Sequence, residues 1–318
     1  MNLIESVSEE RIENAMQKML QIELPIFDGN ITVDKYIAQI TKTIKDEFGF
    51  LPHVCRPMKQ NTFNLPIYRV REVESISNID LFSEHSYPPS NLVGMGRCNF
   101  PNYPVFYAAT DPSVAILEVL RSTPSSKEYC ISIWDVSQTN DDFIFQSFLN
   151  VLLPKENVFA VIHKDMKSKL NQNIFNGNLS ENQQDALDRC LTYLDSQFIL
   201  DESYSISATL AHRCLYMDYS LRTDILMYPS VQSKMKGVNL AIAPNFVDNN
   251  MQIKRLYNIK VNNFDLDKNT LNLDVLKIGI IQKNVILWHE FNMNNSEHAA
   301  LIVEDFKNFS PIKKELNS

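Results

Sequence analysis

Apolar residues recur at helical spacing in two segments near the start of the chain. In residues 6–22 the repeated positions are Ile12, Ala15, Met16, Met19 and Leu20. Residues 32–48 follow the same spacing, with Thr32 as a cap at the start. A stripe of this kind predicts an amphipathic helix in each segment. The two prolines of "LPHVCRP" then interrupt the pattern, so residues 1–60 are predicted to form a helical extension ahead of the main fold.

Alternating apolar and polar residues predict strands in the rest of the chain. The segment "PIYRVREV", residues 66–73, alternates and contains β-branched residues, and it places Arg69 and Arg71 on one face of a strand. Further strands are predicted at 104–109, 128–136, 224–231 and 237–244, and the segment 264–278 is predicted to form a hairpin.

Helices are interspersed with these strands without a regular strand–helix–strand repeat. Asp111 as N-cap and Pro112 at the first helical position predict a helix that continues through "SVAILEVLRS". A second helix is predicted at 204–216, and residues 140–200 are predicted to be mostly helix or loop. The predicted fold class is mixed α+β, with a mixed β-sheet core, flanking helices and the N-terminal helical extension. Residues 61–318 are predicted to form one domain that ends in a β-rich segment.

Composition and charge narrow the class of protein. The 318 residues are 44% hydrophobic, enough for a large core, and 38 acidic against 30 basic side chains give a net charge of −8. No basic stripe stands out in the sequence, which argues against direct nucleic-acid binding. A few arginines can still converge locally on a small anion, so a small anionic ligand is compatible with this charge.

The cysteines and histidines indicate a reduced environment without a metal. The five cysteines are spread along the chain with no C-x-x-C spacing, and the six histidines form no H-E-x-x-H motif. The N-terminus is acidic and amphipathic, unlike a signal peptide, and no apolar run is long enough to span a bilayer. These observations predict a cytoplasmic protein with no membrane contact and no resident metal or cofactor.

Two arginine segments are candidates for binding an anion. Arg69 and Arg71 share a strand face, although solvated salt bridges would also explain them. Arg97 follows Gly94 and Gly96, and glycines allow close backbone approach and positive φ. An arginine beside them can bind a phosphate through two hydrogen bonds. An ordinary turn with a surface arginine is the alternative interpretation of this second segment.

Glu118 is the most informative residue of the helix that Asp111 caps. Apolar residues surround it in "ILEVL", so its carboxylate is predicted to be at least half buried. A buried carboxylate is costly unless it is paired or used in chemistry. The structural alternative is an ion pair with Arg121, three residues further along the helix.

Tyr107 and Ser230 complete the set of candidate residues. Tyr107 lies in an apolar strand, where the usual role is that of a core tyrosine with a hydrogen-bonded hydroxyl. Ser230 follows a proline at the end of a predicted strand, where serine commonly satisfies a turn. No G-x-S-x-G motif surrounds Ser230, so a hydrolase triad is rejected.

Four segments taken in order resemble the RES domain, a family named for its arginine, glutamate and serine. They are "YRVR" at 68–71, "GRCN" at 96–99, "VFYAATDPSVAILEV" at 105–119, and "DILMYPSV" with "GVNLAI" at 224–242. The resemblance spans residues 65–245 and includes the succession Arg97, Tyr107 and Glu118. It implies a fold similar to that of ADP-ribosyltransferase toxins.

The resemblance also implies a function. Members of the family are NAD-consuming toxins of bacterial toxin–antitoxin pairs, so the implied ligand is NAD, as a substrate and not as a cofactor. The implied pocket residues are Arg69, Arg71, Arg97, Tyr107 and Ser230. Glu118 would act in catalysis together with Arg69 and Tyr107. The implied reaction is cleavage of the nicotinamide–ribose bond by inorganic phosphate or water, and an antitoxin that covers the cleft is the implied partner.

Two alternatives keep the resemblance but change the activity. In the first, the same pocket transfers ADP-ribose to a protein side chain. Ile116 stands two positions before Glu118, where side-chain transferases of the wider fold often carry a second acidic residue, so breakdown of NAD itself is favoured. In the second, the chain is a non-enzymatic binding adaptor. The presence together of Arg69, Arg97, Tyr107, Glu118 and Ser230 argues against it.

Overall fold

A computed structural model describes residues 7–120, 127–160, 177–216, 222–265, 270–283 and 285–306. Within these ranges, ten strands and seven α-helices form a mixed α+β fold, which confirms the predicted fold class. The strands pair in both parallel and antiparallel fashion. The chain divides into two compact units. Unit 1 comprises Met1–Arg56, Pro89–Pro104 and Ile144–Pro229, and unit 2 comprises Pro57–Pro88, Val105–Phe143 and Ser230–Ser318.

The helices and strands are named here in chain order. The α-helices are α1 (Glu9–Met19), α2 (Val33–Phe48), α3 (Pro112–Leu120), α4 (Glu181–Leu200), α5 (Ser205–Leu215), α6 (Pro244–Asn250) and α7 (Ser296–Asp305). The strands are β1 (Cys55–Lys59), β2 (Ile67–Glu72), β3 (Phe106–Ala109), β4 (Glu128–Val136), β5 (Asp142–Ser147), β6 (Ile225–Pro229), β7 (Val238–Ile242), β8 (Met251–Asp265), β9 (Thr270–Gln282) and β10 (Val285–Glu290).

In its described segments, unit 1 is built around the helices α1, α2, α4 and α5, which bury their apolar stripes. The two predicted N-terminal helices are present as α1 and α2, and the Thr32 hydroxyl caps α2 by accepting a hydrogen bond from the Lys35 N–H at 3.4 Å. Ile12, Ile40 and Ile44 from these helices are fully buried. α1 packs against α2 and α4, and α2 packs against α5. The N-terminal helices therefore share a core with helices that come much later in the chain.

Unit 1 also contains parallel strand pairing that the sequence interpretation missed. Residues 140–200 are predicted to be mostly helix or loop, and no strand is predicted there, but β5 lies within them and pairs in parallel with β6, with Phe145 opposite Ile225. β5 carries the apolar run "FIF", and so short a run does not reveal by its period whether it is strand or helix. β1, which contains Pro57, was not predicted either. The long helical pattern in the same region is confirmed as α4.

Unit 2 contains seven strands hydrogen-bonded in the order β7-β3-β2-β4-β8-β9-β10, and every neighbouring pair is antiparallel. The strands predicted at 66–73, 104–109, 128–136 and 237–244 are confirmed as β2, β3, β4 and β7. The predicted hairpin is the β8–β9 pair, in which Asp265 lies opposite Thr270. Antiparallel neighbours explain why the sequence lacked a regular βαβ pattern.

The two faces of this sheet carry different chemistry. Tyr68 and Val70 on β2 contribute to an apolar core with residues of α3 and α7. Because side chains alternate along a strand, Arg69 and Arg71 belong to the opposite face. The core side chains of α3 therefore lie on the apolar face of the sheet, and Arg69 and Arg71 project from the opposite face.

The C-terminal helix α7 is tied to the sheet through a buried acid. Asp305 accepts hydrogen bonds from Arg255 at 2.5 Å and from the Tyr257 hydroxyl at 2.6 Å. The Tyr68 hydroxyl donates to the Asp305 carbonyl at 2.6 Å. A buried carboxylate needs such partners to offset the water it loses. The last described helix is thus part of the core of unit 2.

The described helices and side chains also bear on membranes and metals. In the described ranges, each helix is too short or too polar to cross a bilayer. No disulfide joins the five cysteines, all of which lie in described segments. Nor do three or more His, Cys, Asp or Glu side chains, among those described, gather in a way that could hold a metal ion.

Candidate functional site

The position of Glu118 depends first on how α3 begins. As predicted, Pro112 is the first helical residue and Asp111 caps the helix, accepting hydrogen bonds from the N–H groups of Ser113 at 2.8 Å and Val114 at 3.4 Å. Burial raises the pKa of the Asp111 carboxyl, and its hydrogen bonds with Ser113 and Val114 oppose that shift. Two turns later the helix presents Glu118, which is half-buried.

The Glu118 carboxylate is held through one oxygen by two side chains. The Ser230 hydroxyl donates to Oε1 at 2.6 Å, and the Asn239 amide nitrogen donates to the same oxygen at 2.7 Å. Both donors are buried. Two candidate residues that are 112 positions apart in sequence therefore touch. The alternative partner Arg121 lies outside the described residues.

The loop that follows β6 fixes the direction of the Ser230 hydroxyl. Its oxygen accepts a hydrogen bond from the Ser233 N–H at 3.2 Å, which leaves its single proton for Glu118. The Ser233 hydroxyl in turn donates to the Ser230 carbonyl and accepts from the Gly237 N–H, each at 3.0 Å. Ser230 thus reaches Glu118 from a closed hydrogen-bonded loop.

Gly237 allows this loop to approach α3 closely. A Cβ atom at Gly237 would lie 2.2 Å from the Cγ2 atom of Val114, far inside normal contact distance. Only glycine fits there without a shift of the loop or the helix. The contact between Gly237 and Val114 therefore helps to set the distance from Ser230 to Glu118.

Arg69 occupies a gap between β2 and β3. These strands share one residue pair, Tyr68 with Ala109, and beyond it the Arg69 guanidinium donates to the Tyr107 carbonyl at 2.8 Å. The guanidinium also lies 5.2 Å from the centre of the Phe106 ring, and its Nε is buried with no hydrogen-bond partner among the described residues. Burial, aided by the charge of Arg71, lowers the pKa of Arg69 to about 10, so Arg69 is still a cation at neutral pH.

Arg71 is bound to nearby backbone. Its guanidinium donates to the carbonyls of Glu84 and Ser75, the latter at 2.7 Å, and forms an ion pair with the Glu84 carboxylate at 3.6 Å. These contacts hold the segment that follows β2. They support the salt-bridge interpretation of Arg71, and its role in ligand binding stays a prediction.

Tyr107 shares a sheet face with the partners of Glu118. In the β3–β7 ladder, Tyr107 lies opposite Ala241 and Ala109 lies opposite Asn239. Opposed residues project to the same face, and positions two apart along a strand share that face. Tyr107 and Asn239 are therefore diagonal neighbours in backbone register, and Tyr107 is half-buried.

Arg97 belongs to unit 1, where it lies in a tight turn. Gly96 and Asn99 close the turn through two backbone hydrogen bonds of 3.0 and 3.3 Å. Arg97 is half-buried, donates to the Phe198 carbonyl at 2.5 Å and lies 5.4 Å from the centre of the Tyr204 ring. Neither Gly96 nor Gly94 is among the glycines with a positive φ, so positive φ does not account for them, and close approach to a bound group stays a prediction. The turn itself agrees with the structural alternative, although Arg97 is not a surface residue.

Sequence reasoning missed Asn239 and Gly237. Asn239 had a visible signal, because it is the one polar residue in the apolar strand "VNLAI". Gly237 had no comparable signal, since a close approach between Gly237 and Val114 cannot be inferred from the local sequence. Both residues lie in a segment used for the family resemblance, but neither had been given a role.

Comparison with known families gives one finding. Residues 66–142 match the family model of the RES domain, which confirms the resemblance over these residues. The matched range includes Arg69, Arg71, Arg97, Tyr107 and Glu118 but ends before Ser230. No curated protein shows significant sequence similarity to the chain.

Proposed function

We propose that this chain, which carries a RES domain at residues 66–142, cleaves the bond between nicotinamide and ribose in NAD. RES domains are generally NAD-degrading enzyme domains. The observation that carries the proposal is the Glu118 carboxylate, which lies inside the matched range and is fixed through one oxygen by Ser230 and Asn239. A carboxylate held in this way suits a reaction that develops positive charge.

Glu118 would stabilise the charge that forms on the ribose. When the bond from C1 of the ribose to the nicotinamide nitrogen breaks, its electron pair leaves with nicotinamide and the sugar becomes cationic. Carboxylates stabilise such oxocarbenium-like states in glycoside chemistry. Water would complete the reaction as ADP-ribose with release of a proton, and inorganic phosphate would give ADP-ribose phosphorylated at the same carbon.

Arg69 would bind the pyrophosphate. It keeps its positive charge at neutral pH, and among the described residues one of its nitrogens is engaged, with the Tyr107 carbonyl. Arg69 belongs to the opposite face of β2 from the apolar core, and its guanidinium occupies the gap where the β2–β3 ladder opens. Tyr107 flanks this gap and would hold the nicotinamide ring or a phosphate oxygen.

Ser230 would act through Glu118 in this proposal. Its hydroxyl is fully buried, and its proton is already directed to the Glu118 carboxylate. The role of Ser230 is then to hold the carboxylate, in place of the direct contact with NAD that the family resemblance implied. Arg97 keeps its predicted role in binding a phosphate group, as a hypothesis that mutation must test.

Breakdown of NAD is favoured over modification of a protein side chain. The position two residues before Glu118 is Ile116, which is fully buried in the apolar core. No second carboxylate is available at that position to activate an acceptor side chain. Water or phosphate is therefore the proposed acceptor, and the toxin role and the antitoxin partner remain expectations from the family.

The direct test is nicotinamide release by the purified protein. NAD is incubated with the protein with and without inorganic phosphate, and free nicotinamide is measured by chromatography. Release that phosphate strongly accelerates identifies phosphorolysis, and release that is indifferent to phosphate identifies hydrolysis. If the protein binds NAD but releases no nicotinamide, the non-enzymatic binding adaptor is supported instead. Label transferred from NAD to protein would establish the transferase instead.

A further inference from the structure

Asn239 is a polar residue in the middle of an apolar strand. Its neighbours in β7 are Val238, Leu240, Ala241 and Ile242, and all of them are fully buried. Asn239 itself is 5% exposed. An amide buried in such surroundings is unfavourable unless hydrogen bonds replace those it made with water. Its contacts should therefore explain why the strand carries it.

Only one end of the Asn239 amide is satisfied. Nδ2 donates to Glu118 Oε1 at 2.7 Å, while Oδ1 is buried and meets no hydrogen-bond partner in the described segments. The amide cannot be reversed, because its carbonyl oxygen would then face a carboxylate oxygen. β7 therefore carries an unsatisfied acceptor together with one donor to Glu118. An apolar residue would remove both.

We propose that Asn239 is a positioning residue for Glu118 in the cleavage of NAD, an inference that rests on the proposed function. Ser230 and Asn239 reach the same carboxylate oxygen from a loop and from a strand. Two donors on Oε1 fix the plane of the carboxylate, and with it the direction of Oε2. Asn239 acts through Glu118 and does not itself bind NAD.

The same sheet contains a matched control. Asn258 on β8 is 6% exposed, its Nδ2 donates to Glu128 Oε2 at 2.8 Å, and its Oδ1 is buried without a hydrogen-bond partner among the described atoms. It thus reproduces the chemistry of Asn239 beside a glutamate that has no proposed role. Substitution of Asn258 therefore measures how much the loss of such an amide changes the stability of the sheet, separately from any effect on Glu118.

The first test compares Asn239→Leu with Asn258→Leu. Leucine removes the amide and suits an apolar strand, so each variant is expected to melt at or near the wild-type temperature. The kcat for nicotinamide release should fall by about 10²-fold in Asn239→Leu, with little change in KM, because the lost interaction acts on the transition state. Asn258→Leu should keep the wild-type kcat. A kcat above about one third of wild type for Asn239→Leu, or an equal loss in both variants, overturns the proposal.

A pH profile adds a readout that a structural role would not move. Asn239→Asp keeps the size of the side chain but places a second carboxylate against Glu118, and like charges that share a site oppose each other's ionisation. The acid limb of the kcat profile should move to higher pH in Asn239→Asp and stay in place in Asn258→Asp. If the acid limb of the kcat profile stays in place in both variants, the proposal is contradicted. This pair also carries the test if Asn239→Leu does not fold.

Failure of the proposed function can be separated from failure of this inference. If the wild-type protein releases no nicotinamide, the proposed function is wrong, and Asn239 is tested without turnover. The side-chain carboxyl ¹³C signal of Glu118, identified by its loss in Glu118→Gln, is followed against pH. A titration displaced in Asn239→Asp but not in Asn258→Asp supports positioning, and three coincident titrations overturn it.

Discussion

Two acidic side chains, one in each unit, differ in their burial and in the hydrogen bonds that they accept. Glu118 in unit 2 is half-buried, and two side-chain donors, Ser230 and Asn239, converge on one of its oxygens. Asp195 in unit 1 is buried, and one of its oxygens accepts a single hydrogen bond from the backbone N–H of Asn150 at 2.7 Å. Burial raises the pKa of Asp195 to about 8, and that one hydrogen bond opposes the shift only in part.

The difference shows how surroundings decide whether a buried acid can serve in chemistry. Asp195 lines a cavity with Gln146 and Arg213, yet with its raised pKa it is largely protonated at neutral pH. A protonated acid cannot offer the negative charge that an oxocarbenium ion requires. Glu118 is more exposed than Asp195, and two side chains donate hydrogen bonds to one of its oxygens. We therefore expect unit 2 to carry the chemistry and Asp195 to be structural.

Removing the charge from each acid gives the largest expected contrast. Glu118→Gln keeps the shape of the side chain, so NAD should still bind, but kcat should fall by about 10²–10³ because one electrostatic contact in the transition state is lost. Asp195→Asn makes the same chemical change in unit 1 and should leave turnover at the wild-type level. Nicotinamide release and melting temperature are measured for both.

Either of two results would break this contrast. A well-folded Glu118→Gln protein that retains more than about a tenth of wild-type turnover removes Glu118 from catalysis, given the expected size of the effect. A loss of turnover in Asp195→Asn without a loss of folding would show that the buried acid of unit 1 takes part as well.

The arginines extend the comparison from chemistry to binding. Arg69→Ala and Arg97→Ala should each weaken NAD binding by about 1.5–3 kcal/mol, the contribution of one charge-assisted hydrogen bond. Lysine at either position should recover only part of the loss, because a point charge does not reproduce the fork of the guanidinium. Calorimetry in a Glu118→Gln background avoids consumption of NAD. Unchanged affinity in Arg97→Ala would exclude Arg97 from the site and leave the pyrophosphate to Arg69.

The packing behind Glu118 predicts a smaller effect, on stability. Gly237→Ala would place a methyl group against Val114, and forcing extra atoms into a packed contact costs about 1–3 kcal/mol. Gly94→Ala is the control, because no atom lies within 4 Å of a Cβ there. Val114→Ala should rescue Gly237→Ala in the double variant, since it removes the side chain that the methyl group meets. Urea unfolding measures all four proteins, and additive effects without rescue would show that the contact is not the cause.

The local parts of this fold were predictable because their signals are local. Asp111 and Pro112 mark the start of α3 through their own hydrogen bonding and fixed φ, and alternation around Arg69 marks β2. β5 was not predicted, because its apolar run is too short for its period to distinguish a strand from a helix. Strand alternation likewise showed that Arg69 faces away from Tyr68, but not that its guanidinium would fill a gap beside β3.

The candidate site was predictable only as a set of residue types. The family resemblance named Glu118 and Ser230 for one pocket, and the two side chains do touch. That resemblance placed Ser230 among the residues that contact NAD, whereas the hydroxyl geometry directs its proton to Glu118. Asn239 approaches Glu118 from 121 positions away, and Gly237 matters because of a side chain on another element. Such contacts follow from tertiary packing, and no spacing along the chain encodes them.

A further expected effect is a pH dependence of stability that belongs to Asp195. The pKa of its carboxyl is about 8 in the folded protein and near the ordinary value of 3.8 when the chain unfolds. Below pH 4 both states hold the proton, so the raised pKa costs nothing. As pH rises from 4 to 8, the unfolded state has released the proton while the folded state still binds it, so stability falls with pH. Above pH 8 both states are ionised and the decline stops. Asp195→Asn lacks this proton, so its melting temperature relative to wild type should be lowest near pH 4 and should rise steadily towards pH 8. A constant difference between the two proteins from pH 4 to pH 8 would show that Asp195 is ionised in the folded protein, and the contrast with Glu118 would then rest on exposure alone.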